Sequence, residues 1–329
     1  MASNAARFMT RKLSAARHAL EVGLVGHGAD QAASALFIDG NRLAGQVSAV
    51  QAAFPGDHFN HAFAVKANPT YRVLSLLSRL GMGLEAASMG ELQQALRAGQ
   101  PSKIVYDCPV KTLADTRYAL EAEVDMNIDN WQELARVDDI VAAGRPASTL
   151  GIRLNPQVGA GSIATHATAT ATSKFGIGMQ DHYEDLVEAY MARPWLTMAH
   201  VHVGSQGVAL GMSVAGIRAV LDFCADVNKR AGFQQITQVD IGGGLSVNFA
   251  SEDDTPTFQE CAELYAASLP ELFTGEYQVI TEYGRAIAAK SGFAMSRVEF
   301  AKVSGGRHIA LQHLGAFCTA VAVVVGGTD

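Results

Sequence analysis

At 329 residues, with 49% hydrophobic and 17% charged residues, the chain is long enough for one large barrel or two smaller domains. A formal net charge of −7 leaves no basic stripe to neutralise phosphates, which argues against a nucleic-acid or anionic-membrane partner. No run of eighteen apolar residues offers a membrane-spanning helix, and Cys108, Cys224, Cys261 and Cys318 stand far apart without metal-ligand spacing, as expected of reduced thiols in a cytoplasmic protein.

The first twenty residues hold Arg7, Arg11, Lys12 and Arg17 and no acid before Glu21, a pattern shared by a basic amphipathic helix and an organelle transit peptide. From Ala35 onward, short β-type runs alternate with helical patterns. After the outlying run Ala35-Leu-Phe-Ile38, the predicted strands are His61–Val65, Gly83–Ala87, Lys103–Tyr106, Met126–Ile128, Leu150–Leu154, Met198–Val203, Gln238–Ile241 and Gln278–Thr281. Arg72–Leu80 and Glu91–Arg97 between them show apolar residues at three- and four-residue spacing. Eight strands in this rhythm predict a closed (β/α)₈ TIM-type barrel, with a doubly wound sheet as the alternative. One stretch of small and hydroxyl residues, Gly159–Ser173, interrupts the rhythm as a lid or as a disordered insertion. Ser296–Val303 and His308–Leu311 read as further strands beyond the barrel.

Functional residues in such a barrel gather at the carboxyl ends of the strands. Lys66 follows Phe63-Ala64-Val65 and precedes the turn Asn68-Pro69, so it falls at such an end. A partly desolvated ammonium there has a lowered pKa and acts as a nucleophile, although a solvated lysine fits the same residues. Gly242-Gly243-Gly244 after the seventh strand, beside Gly284 after the eighth, suits the usual phosphate position of such barrels, and a tight turn needs the same glycines. His202, followed by Ser205 and Gln206, is either a catalytic imidazole or a hydrogen-bonded core residue. His200 and His202 are assigned to opposite strand faces, so no three ligands converge and no metal is expected. Glu282 ends the eighth strand, where a carboxylate can pin a heteroaromatic ring nitrogen or pair with Arg285 or Arg153.

Seven motifs in order are Ala64-Val-Lys-Ala-Asn-Pro69, Glu85-Ala-Ala-Ser-Met-Gly-Glu91, Arg153-Leu-Asn-Pro156, Lys174-Phe-Gly176, His202-Val-Gly-Ser-Gln206, Asp240-Ile-Gly-Gly-Gly-Leu245 and Glu282-Tyr-Gly-Arg285. Together they resemble the barrel of the fold type III pyridoxal-phosphate decarboxylases of basic and diamino acids, the group acting on diaminopimelate, ornithine, lysine and arginine. The resemblance covers about Ala35 to Ala301. It implies pyridoxal 5′-phosphate as cofactor, Lys66 as its Schiff-base lysine and His202 stacked on the ring. By the same likeness Ser205, Gly242, Gly243, Gly244, Gly284 and Arg285 surround the phosphate, and Glu282 contacts the ring nitrogen. Glu85 and Arg153 then join the hydrogen-bonded shell, and Lys174 lies near a subunit interface. The implied activity is decarboxylation of a small amino acid. The alternative is a barrel that binds the cofactor without turnover, as a carrier or regulatory partner. Alanine racemases share the barrel and the lysine, but Thr70-Tyr71-Arg72-Val73 replaces their tyrosine-glycine-histidine-glycine continuation.

Two departures from the family pattern stand out. Tyr283 occupies the usual proline position, which frees an amide and is expected to add bulk beside the phosphate site. The family's C-terminal β domain supplies a Cys-Glu-x-x-Asp type segment and a tyrosine to the partner subunit, and Ala316-Phe-Cys-Thr-Ala around Cys318 does not match that segment. The expected organisation is an N-terminal segment over 1–34, a pyridoxal-phosphate barrel over 35–295 and the start of a shortened β domain over 296–329. Homodimerisation is expected with a complete β domain.

Overall fold

The computed structural model describes residues 4–144, 146–159 and 168–315. The chain divides into a smaller unit of Met1–Asp39, Asn248–Asp254 and Lys290–Asp329 and a larger unit of Gly40–Val247 and Thr255–Ala289. The smaller unit opens with helix α1 (Asn4–Glu21), in the basic N-terminal stretch, and strand β1 (Ser34–Ile38). The larger unit runs α2 (Gly40–Ala53), β2 (Phe59–Ala64), α3 (Tyr71–Arg79), β3 (Gly83–Ala86), α4 (Met89–Ala98), β4 (Ile104–Tyr106), α5 (Leu113–Glu121), β5 (Asp125–Ile128) and α6 (Trp131–Ala143). It continues with β6 (Leu150–Asn155), β7 (Ile177–Gly178), α7 (Met179–Met191), β8 (Leu196–His200), α8 (Leu210–Ala231), β9 (Gln238–Asp240), α9 (Phe258–Ser268), β10 (Gln278–Thr281) and α10 (Arg285–Ala288). The smaller unit resumes with β11 (Gly292–Ser296), β12 (Val298–Ser304) and β13 (Arg307–Gln312).

Within the smaller unit β1 pairs antiparallel with β11, bringing the Phe37 and Phe293 rings into a 4.9 Å stack, and β12 pairs with β13. Expectations about Cys318 and the tail beyond it fall outside the described residues. Among the described residues no helix is long and apolar enough to cross a membrane.

In the larger unit the strand order β2-β3-β4-β5-β6-β8-β9-β10 closes on itself, every pairing parallel. The expected eight-stranded barrel is therefore present, with the short β7 attached to β6 outside the ring. Local sequence starts its helices where predicted. Thr112 with Asp115 and Thr257 with Glu260 form capping boxes, and Ser88 and Asn130 accept the third-residue amide of α4 and α6.

One boundary differs from the sequence expectation. Strand β8 stops at His200 rather than Val203, because the amides of Thr168 and Ala169 take the Val203 carbonyl at 3.0 and 3.2 Å. The Thr168 hydroxyl takes the His202 carbonyl as well. These are groups that a longer strand would have given to its neighbour.

Strand alternation explains what fills the ring. Ala62, Val105, Met198 and Ile280 cluster apart from the main core between strands and helices, so they mark the inward parity of β2, β4, β8 and β10. Residues of opposite parity face the helices. His61 is one, its Nδ1 2.9 Å from Thr281 Oγ1 and its ring near Phe54 and Phe59. Burial pushes its pKa from 6.5 down to about 4. The unfolded chain takes up a proton near pH 6.5 that the folded chain refuses until about pH 4, so stability present above this window is lost as pH falls through it. His61 should cost roughly 3 kcal/mol between about pH 7 and pH 4. Denaturant unfolding at the two pH values, compared with His61→Asn, should show the variant losing less stability on acidification.

Candidate active site

Two residues beyond the inward-facing apolar set, the same parity carries Ala64, Asp107, His200 and Glu282, and a further step carries Lys66 and His202. Arg153, His200 and Asp240 share one rung of the parallel ladder. The upper barrel is therefore filled by charged and polar side chains: Glu85, Asp107, Asn127, His200 and Asp240 are buried, as are Arg153 and Glu282.

Lys66 sits in a single 3₁₀ turn, Val65–Ala67, immediately past β2. Its Nζ donates to Glu85 Oε2 at 2.8 Å, and half of its side chain remains exposed. The expected lowered pKa is reversed. Burial pulls the ammonium down, but the carboxylates of Glu85, Glu282 and Asp107 outweigh burial and hold it above its ordinary value. Without another group in the site, Lys66 is a charge-paired ammonium.

Behind the lysine lies a buried chain of charge. Arg153 donates from Nη1 to Asp107 Oδ2 at 3.0 Å, while Asp107 Oδ1 lies 3.3 Å from His200 Nδ1. On the other side of that ring, His200 Nε2 lies 3.8 Å from Glu282 Oε2. Burial opposes ionisation of Asp107, yet Arg153 and then His200 hold it below the usual carboxylate range. Glu282 goes the other way, because burial and the neighbouring Asp240, Glu85 and Asp107 raise its pKa well above the usual value. Glu85 is raised for the same leading reason, against the pull of Lys66.

The assignment of His200 and His202 to opposite faces is corrected by the structure. Residues two apart share a face, and His202 Nδ1 also reaches to 3.9 Å from Glu282 Oε2. Three possible ligands do converge, since Asp107, His200 and Glu282 bring donor atoms within 4.8 Å of one another; Asp107 already pairs with Arg153. His202 Nδ1 accepts the Gly243 amide at 3.1 Å. Burial, then Arg153 and Lys66, keep the ring's pKa well below 6.5, so it is a neutral imidazole carrying its proton on Nε2.

The glycine turn serves by close approach more than by open amides. A Cβ on Gly243 would strike the Glu282 carbonyl, and Gly244, at φ +103°, approaches the Gly204 carbonyl with equal closeness. The Gly242 amide donates to Asp240 Oδ1 at 2.9 Å and the Gly243 amide to His202. The turn thus stacks the loops after β8, β9 and β10 tightly together. Gln206 reinforces it by pairing through both amide atoms with the Val247 backbone. Ser205 is half-buried in the β8 loop. Gly284 begins α10 with no room for a side chain against Ala64 and Ala67, and Arg285 beside it keeps a buried Nε without a hydrogen bond.

Two other expectations resolve differently. The Tyr283 ring turns away from the barrel interior, packing 5.1 Å from Phe258 with its hydroxyl 3.6 Å from Cys261 Sγ. Its opposite parity to Glu282 is the reason, and it adds no bulk inside the site. Lys174 is exposed beside Phe175, whose other neighbour is the Arg153 guanidinium at 4.7 Å, while Asp129 accepts the Gly176 amide. Residues 160–167 of the small-residue stretch lie outside the described residues.

The residues present fit a pyridoxal cofactor. Glu85 Oε1, Glu282 Oε1 and Arg285 Nε are buried without hydrogen bonds, and such polar groups call for a partner. A primary amine, two acids, a neutral imidazole and a close-packed glycine turn supply the donor set that a charged heteroaromatic aldehyde needs. The sequence reading passed over Asp107 and His200 as site residues, although the two-residue step from Val105 and Met198 marks both as inward.

Fold and site together define an α/β barrel built around a lysine amine. A model of the pyridoxal binding domain of the pyridoxal-dependent decarboxylases matches residues 41–289, and the chain belongs to that family. Diaminopimelate decarboxylase of Aquifex aeolicus is 30% identical over 256 residues, covering 77% of this chain and 60% of the relative. The Pseudomonas aeruginosa enzyme of the same name is 34% identical over 251 residues, covering 73% and 57%. The chain thus spans less than two thirds of the length of these curated relatives. In fold it is similar to diaminopimelate decarboxylase from Helicobacter pylori complexed with L-lysine, with a TM-score of 0.76 at 24% identity, over 87% of this chain and 72% of that one.

Proposed function

We propose that this protein binds pyridoxal 5′-phosphate through Lys66 and catalyses decarboxylation of a basic or diamino acid. The observation that carries the reading is the pairing of Lys66 with Glu85 at 2.8 Å inside a closed barrel whose orphaned acid, Glu282, belongs to the same charge cluster. When bound, pyridoxal phosphate supplies an electron sink for the pair left behind as carbon dioxide departs.

The chain's own residues prepare that chemistry. For Lys66 to act as a nucleophile its ammonium must lose a proton, and Glu85 Oε2 is the acceptor within reach. Burial already raises the Glu85 pKa, which makes the exchange less uphill than it would be in water. His202, neutral and held flat by the Gly243 amide, offers an uncharged ring face for stacking. Arg285, Ser205 and the turn Gly242–Gly244 form the phosphate end. Glu282 faces the ring nitrogen, and Arg153 keeps Asp107 ionised behind it. A homodimer in the cytoplasm, with Lys174 near its interface, completes the reading by family likeness.

Release of carbon dioxide from lysine, ornithine, arginine and diaminopimelate, in both enantiomers, tests it. Release from one of them is expected with added pyridoxal phosphate. Cofactor absorbance with no release from any of them would overturn the catalytic part and leave a cofactor-binding barrel.

A further inference from the structure

His200 is fully buried, and neither ring nitrogen has an aligned hydrogen bond. Leaving such a polar atom unsatisfied costs about 1–3 kcal/mol, so a ring held this way is stabilised only if its neighbours supply protons or lone pairs at some stage. Its neighbours are arranged for that. Asp107 gives one oxygen to Arg153 and turns the other toward His200 Nδ1, which places the ring's proton on Nδ1 and its lone pair on Nε2, facing Glu282.

The other groups around Glu282 are already committed. Asp240 accepts the Gly242 amide on Oδ1 and Asn127 on Oδ2, and His202 spends its lone pair on Gly243. Resting on the cofactor reading above, we infer that Asp107 and His200 are a positioning pair that stores the proton of Glu282. As pyridoxal phosphate binds, that proton passes from the Glu282 carboxyl to His200 Nε2. The O–H bond of Glu282 breaks and an N–H bond on His200 forms, so the buried set keeps its net charge. Glu282 then meets the ring nitrogen as an anion, and the imidazolium lies between two carboxylates. Closing the 3.8 Å gap to hydrogen-bond distance asks for about 1 Å of carboxyl or ring movement. Without the pair, Glu282 could ionise only by losing a proton through a packed barrel.

The test is nitrogen-15 NMR of full-length protein labelled at histidine imidazole nitrogens, recorded before and after adding pyridoxal phosphate, with His200→Gln identifying the signal. One ring that is neutral without cofactor should become doubly protonated with it, and that signal should be missing from His200→Gln. Asp107→Asn should keep the ring neutral in the complex and weaken cofactor binding by roughly tenfold, the low end of a charge-assisted hydrogen bond. A His200 ring that stays neutral in the wild-type complex, or an Asp107→Asn complex with unchanged affinity and an imidazolium signal, would overturn the inference alone. If wild-type protein binds no pyridoxal phosphate, the functional reading fails and this inference with it.

Discussion

Replacement of Lys66 by alanine is expected to abolish the visible absorbance that pyridoxal phosphate acquires on binding and to remove catalytic activity altogether. Lys66 is the amine that the inward parity of β2 delivers to the cluster of Glu85, Glu282 and Asp107. The same substitution leaves Glu85 without its cation. Because Glu85 is fully buried, it should then take up a proton rather than remain an unpaired anion. The variant should therefore fold, bind the cofactor only weakly and without its absorbance shift, and release no carbon dioxide. Spectra and a thermal melt of one preparation check all three points, and retention of the shifted band would contradict the assignment.

Glu282→Gln is expected to move stability and function in opposite directions. Glutamine keeps the shape of the side chain but cannot meet a protonated ring nitrogen as an anion, so cofactor affinity or turnover should fall by roughly 1.5–3 kcal/mol, one to two orders of magnitude. The protein without cofactor should become more stable. Burial and three neighbouring acids raise the Glu282 pKa well above 4.5, so the folded state holds a proton that the unfolded state has given up. Stability therefore falls as pH rises above about 4.5, and glutamine removes that loss. Denaturant unfolding without cofactor should show the variant's advantage growing with pH from about 5 to 7, and a variant less stable at neutral pH would contradict the sign. A site that gives up stability to hold an acid in readiness shows the stability–activity trade-off expected at functional positions.

Much of this molecule can be read from its residues, for identifiable physical reasons. The eight barrel strands are short apolar runs bounded by turn residues, and their caps are local, so pattern and propensity agree. Lys66 and Glu282 stand at strand ends where position alone is informative. Three features depend on tertiary structure that no local pattern carries. The Lys66 pKa reverses because Glu85, Glu282 and Asp107 arrive from three other strands. The amides of Gly242 and Gly243 are spent on Asp240 and His202, which a turn pattern cannot reveal. The end of β8 is set by Thr168 and Ala169, more than thirty residues earlier in the chain. His200, Asp107 and the outward-facing Tyr283 are a different case. Strand parity was present in the sequence, and counting in steps of two from Met198, Val105 and Ile280 places all three.

The central claim is that Lys66 is the residue holding the cofactor. Protein reconstituted with pyridoxal phosphate, reduced with borohydride, digested and analysed by mass spectrometry tests it most directly. The account predicts one reduced pyridoxyl-phosphate adduct, on the peptide containing Lys66. An adduct confined to another lysine, or none on that peptide at full cofactor occupancy, would contradict it.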